Sequence, residues 1–159
     1  MIVPATALRR FTSDVFARAG MSEADAAIVA DALVWANLRG MDSHGMARVP
    51  RYVEWMRRGD INAKPRMAVA TETPAVVVLD ADRAAGPIAM TSAMNHAVRK
   101  ARDAGAGLVL VRATTHTAAL GHYTLIAARE GMAGLAFAAS TPLMAYHGAR
   151  APGVSTTPI

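Results

Sequence analysis

A mixed α+β fold, helices first and then strands alternating with helices, is what this 159-residue chain predicts. Up to about residue 59, apolar residues recur at helical spacing between capping residues. Beyond Pro65 the pattern changes to short apolar runs set between helical stretches.

Leu8, Phe11, Val15 and Phe16 share helical spacing, and Gly20 stops that helix as a glycine just past a C-terminus does. Ser22 caps a second helix, with Glu23 and Asp25 in the first turn, where the helix dipole favours acids. Ile28, Val29, Ala32, Leu33 and Trp35 are among its apolar residues, and it ends near Gly40. Pro50 lacks an N–H and is tolerated only in a first turn, so a third helix runs from about Ala47 to Gly59. Met67 to Thr73 alternates weakly and Ala75 to Leu79 is a short apolar run, which predicts two strands separated by Pro74. Pro87 opens a helix that ends at Gly105, with Ile88, Met94, Ala97, Val98 and Ala101 inward. Gly107 to Val111 reads as a buried strand, Ala119 to Glu130 as a helix, and Gly134 to Ala139 as another buried strand.

Composition narrows the function classes. Hydrophobic residues make up 53% and aromatic ones 5%, which describes an interior of Ala, Val, Leu and Met. The net charge of +5 comes from arginines scattered along the chain, with no dense basic block and no aromatic stacking series, so a nucleic-acid partner is not expected. Without cysteine, disulfides, thiolate metal sites and cysteine nucleophiles are excluded. No apolar run approaches the roughly 18 residues of a membrane span. Met1 to Ala7 lacks a positively charged start followed by a long apolar run, so cytoplasm is the expected compartment.

The segment Arg39 to Tyr52, RGMDSHGMARVPRY, places His44, Arg48 and Tyr52 four residues apart at the mouth of the third helix. An imidazole beside a guanidinium that keeps its charge suits proton movement on a small carboxylate-bearing substrate. The positive end of the helix dipole favours the neutral imidazole, which can accept a proton. The same residues also fit a plainer arrangement, in which Ser43 caps the helix and Arg48 is a solvated charge. Asp42 either orients His44 or caps the following turn.

Other candidates carry less. His116 and His122 are close in sequence, but their spacing suits no common zinc pattern, and no metal is expected. His96 reads as part of a solvated helix face, His147 as a loop histidine, Met90 and Met94 as core filler, and Asp80 and Asp82 as turn residues. Gly105-Ala106-Gly107 follows a helix and precedes a strand, the reverse of a dinucleotide fingerprint.

The string RGMDSHGMARVPRYVEWMRRGDIN resembles the signature of the malate/L-lactate/ureidoglycolate dehydrogenase family of nicotinamide-dependent 2-keto acid reductases without a Rossmann domain. Ala81, Asp82, Ala84 and Gly86 fall where that family reads D-G-D-x-G-x-G, and VRATTHTAALGHYTLIAAREGMAGLAFAAS follows its V-R-N-S-x-H-x-G-x-A-G-Y-Y segment. The resemblance covers nearly the whole chain. It implies His44 and His116 as acid/base histidines, Arg48 as carboxylate ligand, Ser43 and Tyr52 on the substrate side, and Ser140 and Thr141 near the cofactor. It implies NAD or NADP, a small 2-hydroxy or 2-keto acid, and a homodimer.

Departures from the family pattern are specific. Ala113, Thr114 and Thr115 stand for Asn, Ser and a variable residue. Thr117 and Ala118 follow His116 where glycine is common, and alanine restricts a turn that glycine would permit. His122 replaces the first of two aromatic residues, and Ser155-Thr156-Thr157-Pro158 replaces G-T-N-P. Family members are longer and carry most cofactor contacts downstream. Residues 1–64 are therefore expected to be a helical segment bearing the SHG motif, and 65–159 the first part of a mixed sheet-and-helix domain that binds cofactor and substrate. The expected activity is hydride exchange between NAD(P) and a 2-hydroxy acid; the alternative is a noncatalytic truncated relative serving as an assembly or binding remnant.

Overall fold

The computed structural model describes residues 2–159. Helices α1 (Ala5–Arg18) and α2 (Glu23–Asn37) pack together, and two single 3-10 turns, Asp42–His44 and Met46–Arg48, lead into α3 (Val49–Arg58). Strands β1 (Ala68–Glu72) and β2 (Val76–Asp80) follow, then α4 (Gly86–Ala104), β3 (Leu108–Arg112) and α5 (Gly121–Arg129). This is the mixed architecture expected from the spacing.

The capping chemistry accounts for the boundaries. Ser22 Oγ accepts the Asp25 N–H at 3.1 Å and starts α2. Pro50 lies in the first turn of α3, and Gly105, at φ +80°, ends α4 in the left-handed conformation that costs glycine little. The sheet order is β1-β2-β3: β1 runs antiparallel to β2, while β2 and β3 are parallel, joined through α4.

The main core joins the helical segment to the start of α4. Phe16, Leu33, Tyr52, Ile61, Ala84 and Ile88 are among its buried members. A smaller cluster of Met94, Val98, Tyr123 and Ala127 seats α5 on α4, with Met90 packed beside it.

Three expectations about burial and pairing change. Phe11 has helical spacing but is 60% exposed, so α1 turns Phe16 inward and leaves Phe11 on its outer side. β3 is not a buried strand. Leu108 and Leu110 are 52% and 54% exposed, because the side chains of an edge strand alternate in direction and only one face has a cover. Gly134 to Ala139 forms no strand. Its Ala138 N–H pairs with the Pro158 carbonyl at 3.2 Å outside any ladder, and Leu135 and Phe137 are largely exposed. An apolar run becomes a strand only where another backbone offers a row of partners.

Candidate active site

His44 closes the first 3-10 turn and Arg48 the second, so both side chains leave one tight double turn ahead of α3. Arg48 Nε donates to the Ser43 carbonyl at 2.6 Å, folding the guanidinium back over the turn. Its terminal nitrogens have no hydrogen-bond partner among the described residues, and no carboxylate there pairs with it. Ser43 Oγ lies 3.0 Å from His44 Nδ1, so Ser43 contacts the imidazole and caps no helix. Asp42 does not reach His44. Its carboxylate accepts instead from the Asn37 amide.

His116 arrives from the loop after β3. Its ring centroid lies 5.4 Å from that of His44, with the planes inclined by 33°. The Tyr52 hydroxyl, on α3, is 2.8 Å from the His116 carbonyl and 2.9 Å from its Nδ1. The Ala118 N–H also donates to Nδ1, at 3.2 Å. A backbone N–H cannot rotate away, so Nδ1 is an acceptor and the neutral ring carries its proton on Nε2. Tyr52 is fully buried, and burial holds its hydroxyl well above the usual phenol range, leaving it a donor.

The loop carrying His116 is held from below. Arg83 N–H donates to the Ala113 carbonyl at 2.7 Å, and Gly86 N–H to Thr115 Oγ1 at 3.2 Å. Gly86 is buried directly against the His116 carbonyl, where a Cβ would collide with backbone. Ala113 and Ala118 adopt left-handed φ of +51° and +53° on either side. Those are the positions where the family pattern has Asn and Gly, residues that accept this conformation readily.

The electrostatics favour uncharged imidazoles beside a fixed cation. Burial, then the Arg48 charge and His44, depress His116 to about 4. His44 is also lowered, by burial and then by Arg48. Arg48 is the fixed charge that bears on both rings.

Ser140 and Thr141 do not join this cluster. Ser140 Oγ donates to the Thr141 carbonyl at 3.0 Å, and Ser140 N–H donates to Ser155 Oγ at 3.0 Å, in an exposed segment. The glycines after α4 have turn and packing roles. Gly105 is the helix stop, and a Cβ on Gly107 would strike the Ala97 carbonyl, so that glycine serves strand-on-helix packing. His122 is remote from His116 in its contacts: its ring meets Trp35 edge-on at 5.5 Å, and Nε2 lies 3.9 Å from Asp31. A cavity of about 360 Å³ beside Asp31, Thr91, His122 and Arg129 contains none of the clustered residues. His147 is exposed in a loop and His96 is half-buried on α4. Asp80 and Asp82 organise the turn after β2, where Asp80 Oδ1 accepts the Asp82 N–H at 3.0 Å.

Two contributors were not foreseen from the sequence. Asn37 binds both ends of the His44 turn, and the Ala118 amide fixes the His116 tautomer. Nothing in the local pattern marks Asn37, whose partner Met46 is nine residues away. Ala118 was visible only as a departure from glycine.

Residues 3–159 match the family model described as malate/L-lactate dehydrogenase. The chain is 41% identical over 157 residues to a malate dehydrogenase of Pyrococcus abyssi, covering 99% of this chain and 43% of that protein. An L-sulfolactate dehydrogenase of Methanocaldococcus jannaschii is 35% identical over 151 residues, covering 95% and 44% respectively. The solved sulfolactate dehydrogenase of Methanocaldococcus jannaschii superposes with a TM-score of 0.90 at 32% identity, over 99% of this chain and 46% of that one. A malate dehydrogenase structure from Pyrococcus horikoshii gives 0.81 at 40% identity, over 82% and 38%. The chain thus spans less than half the length of these relatives. With a family match across almost every residue and a fold shared with solved members, the chain belongs to the malate/L-lactate dehydrogenase family.

Proposed function

We propose that this chain provides the acid-binding and proton-handling part of an oxidoreductase that exchanges a hydride between NAD(P) and a small 2-hydroxy or 2-keto acid. The observation that carries this reading is the convergence of His44, His116 and Arg48, drawn from the helical segment 1–64 and the mixed segment 65–159. The relatives named for malate and for sulfolactate act on acids that such a cation would hold.

Arg48 binds the substrate carboxylate through its unpaired terminal nitrogens, and Ser43 borders the same turn. His116, neutral and with its proton on Nε2, donates a hydrogen bond to the C2 oxygen and orients it. It does not become the cation, because a second proton would have to enter at Nδ1 against the Ala118 N–H. His44 then carries the proton: its neutral ring takes it from the hydroxyl in oxidation and its cation returns it in reduction. Tyr52, fully buried, acts through His116 rather than on the substrate. Ser140 and Thr141 are assigned to the nicotinamide side as exposed hydroxyls. NAD and NADP are both retained as the nicotinamide cofactor.

A second reading, a noncatalytic relative serving as an assembly or binding remnant without turnover of its own, shares the same acid site. We further propose a homodimer, a cytoplasmic setting and neither nucleic acid nor membrane as partner; no helix among the described residues is long and apolar enough to cross a membrane. The test is a titration of the histidine-labelled chain with oxaloacetate and pyruvate, followed by NMR. The His44 and His116 resonances should move saturably, and Arg48→Ala should weaken that binding about 30- to 100-fold, the equivalent of about 2 to 3 kcal/mol for a charge-assisted pair. Binding unaltered by Arg48→Ala, or no movement of either ring, overturns the assignment. Hydride exchange with NADH or NADPH then separates the enzyme from the binding remnant.

A further inference from the structure

The turn bearing His44 and Arg48 has few anchors of its own, and one side chain supplies two. Asn37, the last residue of α2, accepts the Met46 N–H on Oδ1 at 2.6 Å and donates through Nδ2 to the Asp42 carboxylate. Asp42 begins the first 3-10 turn and Met46 the second, so the carboxamide grips the chain on both sides of His44. Gly45 lies buried against it. A Cβ there would overlap Asn37 Oδ1 and approach the Leu33 carbonyl to 3.1 Å, so the space left by glycine is filled by this amide.

We infer that Asn37 is the positioning residue of the site, clamping Asp42 to Met46 against the end of α2 so that the His44 ring meets His116 and Arg48 points over the same turn. The inference rests on the proposed roles of His44 and Arg48, while the clamp is a property of the ligand-free chain. Both halves of the amide are used. A carboxylate at position 37 keeps the acceptor for Met46 but faces the Asp42 carboxylate with no donor between them. Exchanging the pair, amide at 42 and carboxylate at 37, restores one donor and both acceptors.

Histidine-detected NMR of the 159-residue chain reads this directly, with Asn37→Ala, Asn37→Asp and the double variant Asn37→Asp/Asp42→Asn. The groups facing His44 are Arg48, His116 and Ser43. In the folded single variants the ring-to-ring NOE between His44 and His116 should be lost, and the His44 titration midpoint should rise toward that of an exposed imidazole. The His96, His122 and His147 signals should stay in place. The double variant should recover the NOE and the wild-type midpoint. Wild-type His44 behaviour in Asn37→Asp, or a double variant no better than the single one, overturns the clamp. Absence of any keto acid response in the wild-type chain overturns the proposed function and leaves this result standing.

Discussion

Ala113 and Ala118 hold the His116 loop in a backbone conformation that costs an alanine about 1 kcal/mol relative to glycine. Ala113 is exposed and loses no packing on replacement, so Ala113→Gly should raise stability by about 1 kcal/mol in urea unfolding. Ala118→Gly should gain less, because its methyl group is buried in the main core. An unchanged midpoint for Ala113→Gly would contradict the left-handed backbone there. His116 gives the pH prediction. Its folded value of about 4 lies below the ordinary 6.5, so the unfolded chain binds the proton first as pH falls. Stability is therefore fully present above about pH 6.5 and declines down to about pH 4, by about 2 kcal/mol once the partial exposure of the ring is allowed for. Urea titrations of wild type and His116→Gln at pH 7 and pH 4.5 isolate this contribution; an equal pH slope in both proteins would remove it.

At the scale of elements, helix limits were legible because their signals are local. Ser22, Pro50, Pro87 and Gly105 act on their own turns whatever surrounds them, and all four fall at the ends they mark. Strand burial was not legible in the same way. β3 and the Gly134 to Ala139 run have similar apolar content, yet one pairs with β2 and the other finds no ladder. The site divides similarly. Residue type and spacing offered His44 and Arg48 as candidates, and the family pattern added His116, but the Asn37 contacts and the buried Tyr52 hydroxyl depend on partners 9 and 64 residues away. The first turn of α4 lies so close to the His116 loop that Gly86→Ala should cost about 3 kcal/mol and displace the His116 resonances. A folded variant with wild-type His116 shifts would show that the two elements do not press on one another as described.

On the scale of the whole molecule, polar burial and apolar exposure are both unevenly distributed. Thr12 is fully buried, whereas Leu135, Phe137, Leu143 and Tyr146 stand largely exposed along residues 132–159. A surface of this kind favours association. Sedimentation equilibrium should therefore give twice the 16.7 kDa of one chain at micromolar concentration, with little response to salt, since apolar contacts are not screened. A monomer throughout that range would remove the homodimer proposal.

The hydrogen bond from the Ala118 amide to an imidazole nitrogen, in place of a carbonyl oxygen, ties loop order to acidity. A carbonyl keeps its lone pairs at every pH that a protein survives, whereas Nδ1 surrenders its own when the ring is protonated. Acid should thus unlatch the amide and charge the ring in one event, releasing both left-handed alanines together. Deuterium uptake at Ala118 would then report when the His44 and His116 cluster comes apart.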